Sequence, residues 1–291
     1  MWKKKRRKID GVQFVSTFLI IAFSLFVFIP FWNAVVISLE TSVAATKYPF
    51  SIVPMEFTLD NYKVLVRASG DLLKSYWVTI KLTVISTVVG MTICLLAAYG
   101  FSRNFPGKRL LFRLAMFTMY FGGGLFPVYM QLKNMNLLNF TGCVMIGLVS
   151  VYNVIIMKNG FESVPMALQE AAMIDGANEL CIFRKVMIPL QKPLIATFTL
   201  FSIVGNWNGW YWPMIVGGEV GNVLQLFLRR IINNVSKFET QGGGGSIEAT
   251  MEYAEGIKMA AVFVVMVPIM VVYPFLQKYF TKGIMVGAVK M

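Results

Sequence analysis

Apolar residues run along this chain in long unbroken blocks, without the alternation a half-buried strand shows. A hydrocarbon core ~30 Å thick is crossed by ~20 apolar residues of helix. Six blocks reach that length, near 14–38, 74–101, 110–132, 139–158, 193–216 and 258–277. The pattern predicts an all-α, polytopic membrane protein with six transmembrane helices over 14–277 and short tails at 1–13 and 278–291. Continuous runs exclude a β-barrel, whose strands alternate.

Three polar segments between the blocks are long enough to hold structure. Residues 39–73 contain Pro49 and Pro54 and predict an extended path with a short helix near Leu59–Val66. Residues 217–257 begin glycine-rich, carry a helically spaced run from Gln225 to Ile232, and reach Gly242-Gly243-Gly244-Gly245-Ser246. That last string reads as a flexible linker, either engineered or a natural glycine loop. In 158–192, Ser163 is expected to cap a helix over Met166–Asp175 with Pro165 in its first turn. Gly176 ends or bends that helix, Asn178 caps a second short one, and Pro189 and Pro193 punctuate the approach to the fifth block. The chain has no internal repeat, so an inverted-repeat secondary transporter gains no support.

Composition sharpens the class. Of 291 residues, 57% are hydrophobic and only 14% charged, against ~25% charged in soluble domains. The 27 Lys and Arg outnumber the 14 Asp and Glu. So apolar a chain excludes nucleic acid as the partner of that excess, and the basic run Lys3–Lys8 fits an orientation anchor near anionic lipid. Positive loops stay in the cytoplasm. With the N-terminus inside, seventeen Lys and Arg fall inside and nine outside, so both termini are expected in the cytoplasm. Lys81, the one cation well inside a block, is expected to snorkel to the outer interface. The first apolar block is too long for the 7–15 residues of a cleaved signal, so cleavage is not expected.

Chemistry is conspicuous by what is missing. There is no histidine, and Cys94, Cys143 and Cys181 lie far apart, so neither a zinc site nor a disulfide framework is indicated. Proton or sodium coupling places carboxylates or histidines inside the membrane, and every carboxylate here lies outside the blocks or at their edges. ATP use needs GxxxxGK[ST]. The nearest string, Phe105-Pro106-Gly107-Lys108-Arg109, lacks both the first glycine and the hydroxyl. The chain is therefore a passive pore, an enzyme, or a membrane subunit whose motor is a separate protein.

The loop at 158–192 favours the last of these. Glu170-Ala171-Ala172, three residues, Gly176, nine residues, then Val186-Met187-Ile188-Pro189 resembles the EAA motif of binding-protein-dependent ABC importer permeases, EAA-x3-G-x9-I-x-L-P. Val186 and Ile188 stand where the pattern has Ile and Leu. The fuller string Glu170–Ala177 with Phe183 and Ile188-Pro189-Leu190, together with 121–127, Gly205-Asn206-Trp207-Asn208 and 282–290, resembles the carbohydrate-uptake branch. This resemblance implies the type I ABC importer permease fold. It also implies a second, related permease subunit, two ATPase subunits holding Mg-ATP, an external solute-binding protein and an oligo- or polysaccharide cargo. The EAA loop alone does not specify cargo, so a permease for another solute, such as a polyamine or phosphonate, stays open. A membrane enzyme is a third reading, without an in-membrane acid–base pair to support it.

Under the resemblance, Glu170, Ala171, Ala172, Asp175, Gly176, Ala177 and Pro189 are the ATPase-coupling residues, and Lys282–Lys290 are secondary candidates. Small Ala171 and Ala172 allow close approach, and Gly176 permits the turn. Candidates for the substrate path are Asn206, Trp207, Asn208, Trp210 and Tyr211, then Tyr120, Tyr152 and Asn153. Amides facing lipid are costly, so Asn206 and Asn208 are expected to face a pore or a partner helix. Amides bind sugar hydroxyls and aromatic faces stack on sugar C–H faces, although Trp210, Tyr211 and Trp212 also fit an interfacial aromatic belt. Along a straight fifth helix, Trp212 would lie ~29 Å beyond Pro193. Gly122-Gly123-Gly124 most simply permits a bend or a close helix approach.

Overall fold

The computed structural model describes residues 11–67, 69–240 and 254–288. Lys3–Lys8, the Gly242–Ser246 string and the end of the C-terminal tail lie outside them. Among the described residues the chain is helical, with one isolated bridge between Glu40 and Phe57. The helices are α1 (Gly11–Ser38), α2 (Ser42–Lys47), α3 (Asp60–Arg67), α4 (Ser69–Ser102), α5 (Lys108–Tyr120), α6 (Leu125–Asn134), α7 (Phe140–Ile146) and α8 (Val151–Glu162). There follow α9 (Met166–Ile174), α10 (Glu179–Leu190), α11 (Lys192–Trp207), α12 (Tyr211–Val216), α13 (Leu224–Thr240) and α14 (Ala254–Ala288).

Three helices are long and apolar enough to cross a bilayer alone: Gly11–Ser38, Asp71–Ser102 and Glu255–Pro274. The other expected crossings depart from straight rods. The third block breaks at Phe121–Gly124, and α5 and α6 meet at 112°. The fourth breaks after Ile146, with α7 and α8 at 53°. The fifth, Lys192–Val216, leaves α10 at 81° and is interrupted between Trp207 and Tyr211. If each bent pair is one crossing, the count is six. The glycine triplet supplies the sharpest break, since Gly124 has φ +79°, a conformation closed to most L residues.

The chain divides into two compact units, residues 1–69 with 230–264, and residues 70–229 with 265–291. In the first, Asn61 is buried and donates to the carbonyls of Ser38 at 3.1 Å and Glu40 at 2.9 Å, tying α3 to the end of α1. The Glu40 carboxylate accepts the Met55 N–H at 2.8 Å, which anchors the extended stretch before α3. Most of α1 lies bare: none of its most apolar eighteen-residue window is buried, against 39% for α4.

In the second unit α4 is the mast. At 34 residues it extends ~50 Å. Buried Ser75, Thr79, Thr83, Ser86 and Thr87 give one face small hydroxyl side chains that let neighbouring helices approach closely. One core, around Val78, Leu82, Cys143, Val144, Val220 and Leu226, packs against its first half. The other, around Cys94, Ala98, Met157, Phe161, Phe183 and Met187, packs against its second half. Lys81 does not reach out alone. Its ammonium pairs with Glu219 at 3.2 Å and lies 4.4 Å from the centre of the Phe140 ring.

Candidate functional site

The loop between α8 and the fifth crossing is two helices around a glycine. Ser163 does not cap α9. It closes α8, where its hydroxyl donates to the Gly160 carbonyl at 2.8 Å. Pro165 stands at the N-cap of α9, one position before the expected first turn. Serine satisfies either end of a helix, and the length of α8 decides which. At the far end Gly176 has φ +80°, the Ala177 N–H reaches the Ala172 carbonyl at 2.9 Å, and the Gly176 N–H reaches Met173 at 3.0 Å. That is a Schellman cap, and Gly176 takes its left-handed position without a Cβ penalty. Asn178 caps α10 as expected, its Oδ1 accepting the Cys181 N–H at 2.8 Å.

Pro189 does not interrupt the chain. α10 continues through it, with a π-helical stretch at Phe183–Met187 just before, and the bend falls at Gln191. A proline lacks the N–H of an ordinary turn. The Gln191 side chain donates to the Gly160 carbonyl at 2.7 Å, and a Cβ at Gly160 would sit 2.4 Å from Leu194. Gly160 thereby lets the start of α11 close against α8.

Helix α9 has two unlike faces. Gln169 is buried, and Ala172, with Ala177 beyond it, packs against the core around Phe161 and Phe183. On the other side Leu168, Ala171 and Ile174 are exposed, Ile174 to 86%, with Glu170 and Asp175 beside them. The pair Ala171 and Ala172 therefore splits: Ala171 faces outward, whereas Ala172 faces the protein's own core. Glu170, Ala171, Ile174 and Asp175 are open to a partner, whereas Ala172 and Ala177 are partly buried against the core.

Arg103, unsuspected in sequence, joins this loop to α4. Its Nη1 donates to Gln169 Oε1, and its Nη2 donates to Tyr99 Oη at 2.5 Å and pairs with Glu179 at 3.0 Å. The Tyr99 hydroxyl donates to the same Glu179 oxygen at 2.5 Å, and the guanidinium lies 4.8 Å from the centre of the Tyr99 ring. One cation at the end of α4 thus holds both α9, through Gln169, and α10, through Glu179. The signal in the sequence is Tyr99 and Arg103 one turn apart at the end of an apolar block, visible once the partners 66 and 76 residues away are known.

The substrate-path candidates do not all converge. Asn206, Asn208, Trp210, Tyr211 and Trp212 line a cavity of about 300 Å³ with Leu82, Ser86, Cys143 and Pro213. Asn206 is half-buried and donates to Thr87 and Ser202 hydroxyls, each at 3.3 Å, so it faces protein. The side-chain Oδ1 of Asn208 accepts from Gln225 Nε2 at 3.2 Å. Trp207 is not on that wall: buried, it donates its indole N–H to the Val265 carbonyl at 3.2 Å and packs α11 against α14. The fifth crossing is interrupted between Trp207 and Tyr211, and Trp212, just past the break, stands on the cavity wall. Tyr120, Tyr152 and Asn153 stand apart from that wall, with both tyrosines exposed.

Straight and broken candidate crossings, an amide- and aromatic-lined cavity and a clamped two-helix loop are the features of a membrane permease subunit. The chain belongs to the family described as binding-protein-dependent transport system inner membrane component, whose profile matches residues 3–286. Among similar proteins, Protein LplC of Bacillus subtilis (strain 168) is 35% identical, covering 90% of this chain and 89% of that one. The polygalacturonan/rhamnogalacturonan transport system permease protein YtcP of the same organism is also 35% identical, covering 93% and 95%. Among solved structures, a chain of a bacterial ABC transporter involved in the import of the acidic polysaccharide alginate superposes with a TM-score of 0.82 at 30% identity, covering 94% of this chain and 98% of that one. The likeness spans both the loop and the cavity.

Proposed function

We propose that this chain forms half of the translocation path of an ATP-driven importer of oligo- or polysaccharides in the bacterial cytoplasmic membrane, with both termini in the cytoplasm. Its complex pairs it with a second permease subunit, two ATPase subunits that bind Mg-ATP, and an external binding protein that delivers the sugar. The observation that carries this reading is full-length membership of the permease family alongside relatives named for carbohydrate transport. The outward face of α9 supports the coupling role. An apolar strip of Leu168, Ala171 and Ile174 flanked by Glu170 and Asp175 suits a groove with a basic rim.

Movement of that helix passes to α4 through Arg103 and to α11 through α10, so opening of the ATPase pair would tilt the cavity wall. The test is purification from membranes in mild detergent, followed by reconstitution. An ATPase and a binding protein should accompany the chain, ATP hydrolysis should rise when the loaded binding protein is added, and the chain alone should neither bind nor hydrolyse ATP. Saturable ATP binding by the isolated chain, or co-purification without any ATPase, overturns the reading.

A further inference from the structure

A cation lies against one of the aromatic residues that line the cavity beside Asn208. The Arg229 guanidinium lies 4.5 Å from the centre of the Trp210 ring, and its Nη1 contacts Met214 Sδ at 3.8 Å. Among the described residues no ion pair engages it. A guanidinium offers five N–H donors, and a thioether is a weak acceptor, so its donor capacity is largely unspent. Lys81, one residue from the cavity-lining Leu82, is already neutralised by Glu219. Arg229 is thus the cation beside this wall still free to take an anion.

Its position is held from two sides. The first N–H of α13, at Leu224, donates to the buried hydroxyl of Thr79 at 2.8 Å, which fixes that helix against α4. One turn before Arg229, Gln225 bonds Asn208 on the cavity wall. The contact with the indole leaves most of the guanidinium N–H donors for a carboxylate, which arginine can take in the bidentate fork that lysine lacks. Trp210 and Tyr211, 40% and 44% exposed, offer aromatic faces beside it. A uronic acid presents just these two features together, an apolar C–H ring face and a carboxylate on the same ring. Resting on the carbohydrate-import reading, we propose that Arg229 and Trp210 form a subsite for the carboxylate of an acidic sugar residue, with Asn208 and Tyr211 beside it, and that it favours uronate-bearing chains over neutral ones.

The test uses the complete complex with its binding protein in proteoliposomes, with oligogalacturonate and its methyl ester as probes. The wild type should take up the acid in preference to the ester. Arg229→Gln should raise KM for the acid about tenfold or more, leave KM for the ester within about twofold and collapse the selectivity, the size expected for a lost charge-assisted pair. Arg229→Lys, which keeps the charge but not the fork, should fall between. Equal loss on both probes makes Arg229 a docking or packing residue and overturns the subsite. So does a defect present in phosphatidylglycerol vesicles and absent in phosphatidylcholine, which marks a lipid phosphate contact, and so does a wild type that prefers the ester. Uptake of neither probe nor any other sugar by the wild type would sink the import reading itself, whereas neutral-sugar uptake with unchanged selectivity sinks the subsite alone.

Discussion

Gly176 and Arg103 carry the loop at the scale of single residues, by different physics. Gly176 holds a φ of +80° with nothing within 4 Å of a built Cβ, so the constraint there is backbone conformation and not space. Gly176→Val should therefore destabilise the cap by about 1–3 kcal/mol, while Gly176→Asn, which tolerates the left-handed region, should cost far less. Proteolysis of the loop in membranes should separate the two, and equal cleavage rates would mean that the turn relaxes without a left-handed residue. Arg103 works through partners. Arg103→Gln would leave Glu179 without its cation and Gln169 without its donor. With the ATPase still bound, sugar transported per ATP hydrolysed should drop severalfold. Unchanged stoichiometry would make the clamp a packing feature.

At the scale of elements, α9 exposes the face that a partner must meet. Ile174, bare to 86%, adjoins exposed Leu168 and Met173, and a contiguous apolar patch of this kind marks an interaction site. Ile174→Asp should release the ATPase during purification while leaving the chain in the membrane, whereas Ala172→Trp should lower the amount of folded chain by overfilling its own core. If both variants retain the ATPase, the loop is not the docking element. Local signals were readable here in advance: the αL glycine, the Asn178 cap, the helix that became α3 and the run that became α13 each depend on neighbours in sequence. Other features rested on distant contacts. Ser163 has equally good options at two helix ends, the inward turn of Ala172 depends on the core around Phe161, and Trp207 was drawn into packing by a carbonyl 58 residues away. Hydropathy likewise marks a crossing without saying whether it bends, as at Phe121–Gly124, or breaks, as after Trp207 where the cavity aromatics begin.

The molecule as a whole is an unfinished object. The bare surface of α1 runs from Val12 to Phe28 through Phe14, Phe18, Phe23 and Phe26, each more than half exposed. Lipid covers such a face as readily as protein does, so within a bilayer it gives the lone chain no reason to unfold. Its consequence falls on the chain's life in the cell. A subunit that finishes synthesis before its counterpart displays that surface to membrane quality-control proteases, which remove proteins according to how long such features stay uncovered. The half-life of this chain should therefore be set by the supply of the other permease subunit: short when that gene is silenced, long when the two are made in equal number. Pulse–chase measurement in cells lacking the counterpart reads this directly, and an unchanged half-life would mean that α1 meets only lipid throughout the life of the protein.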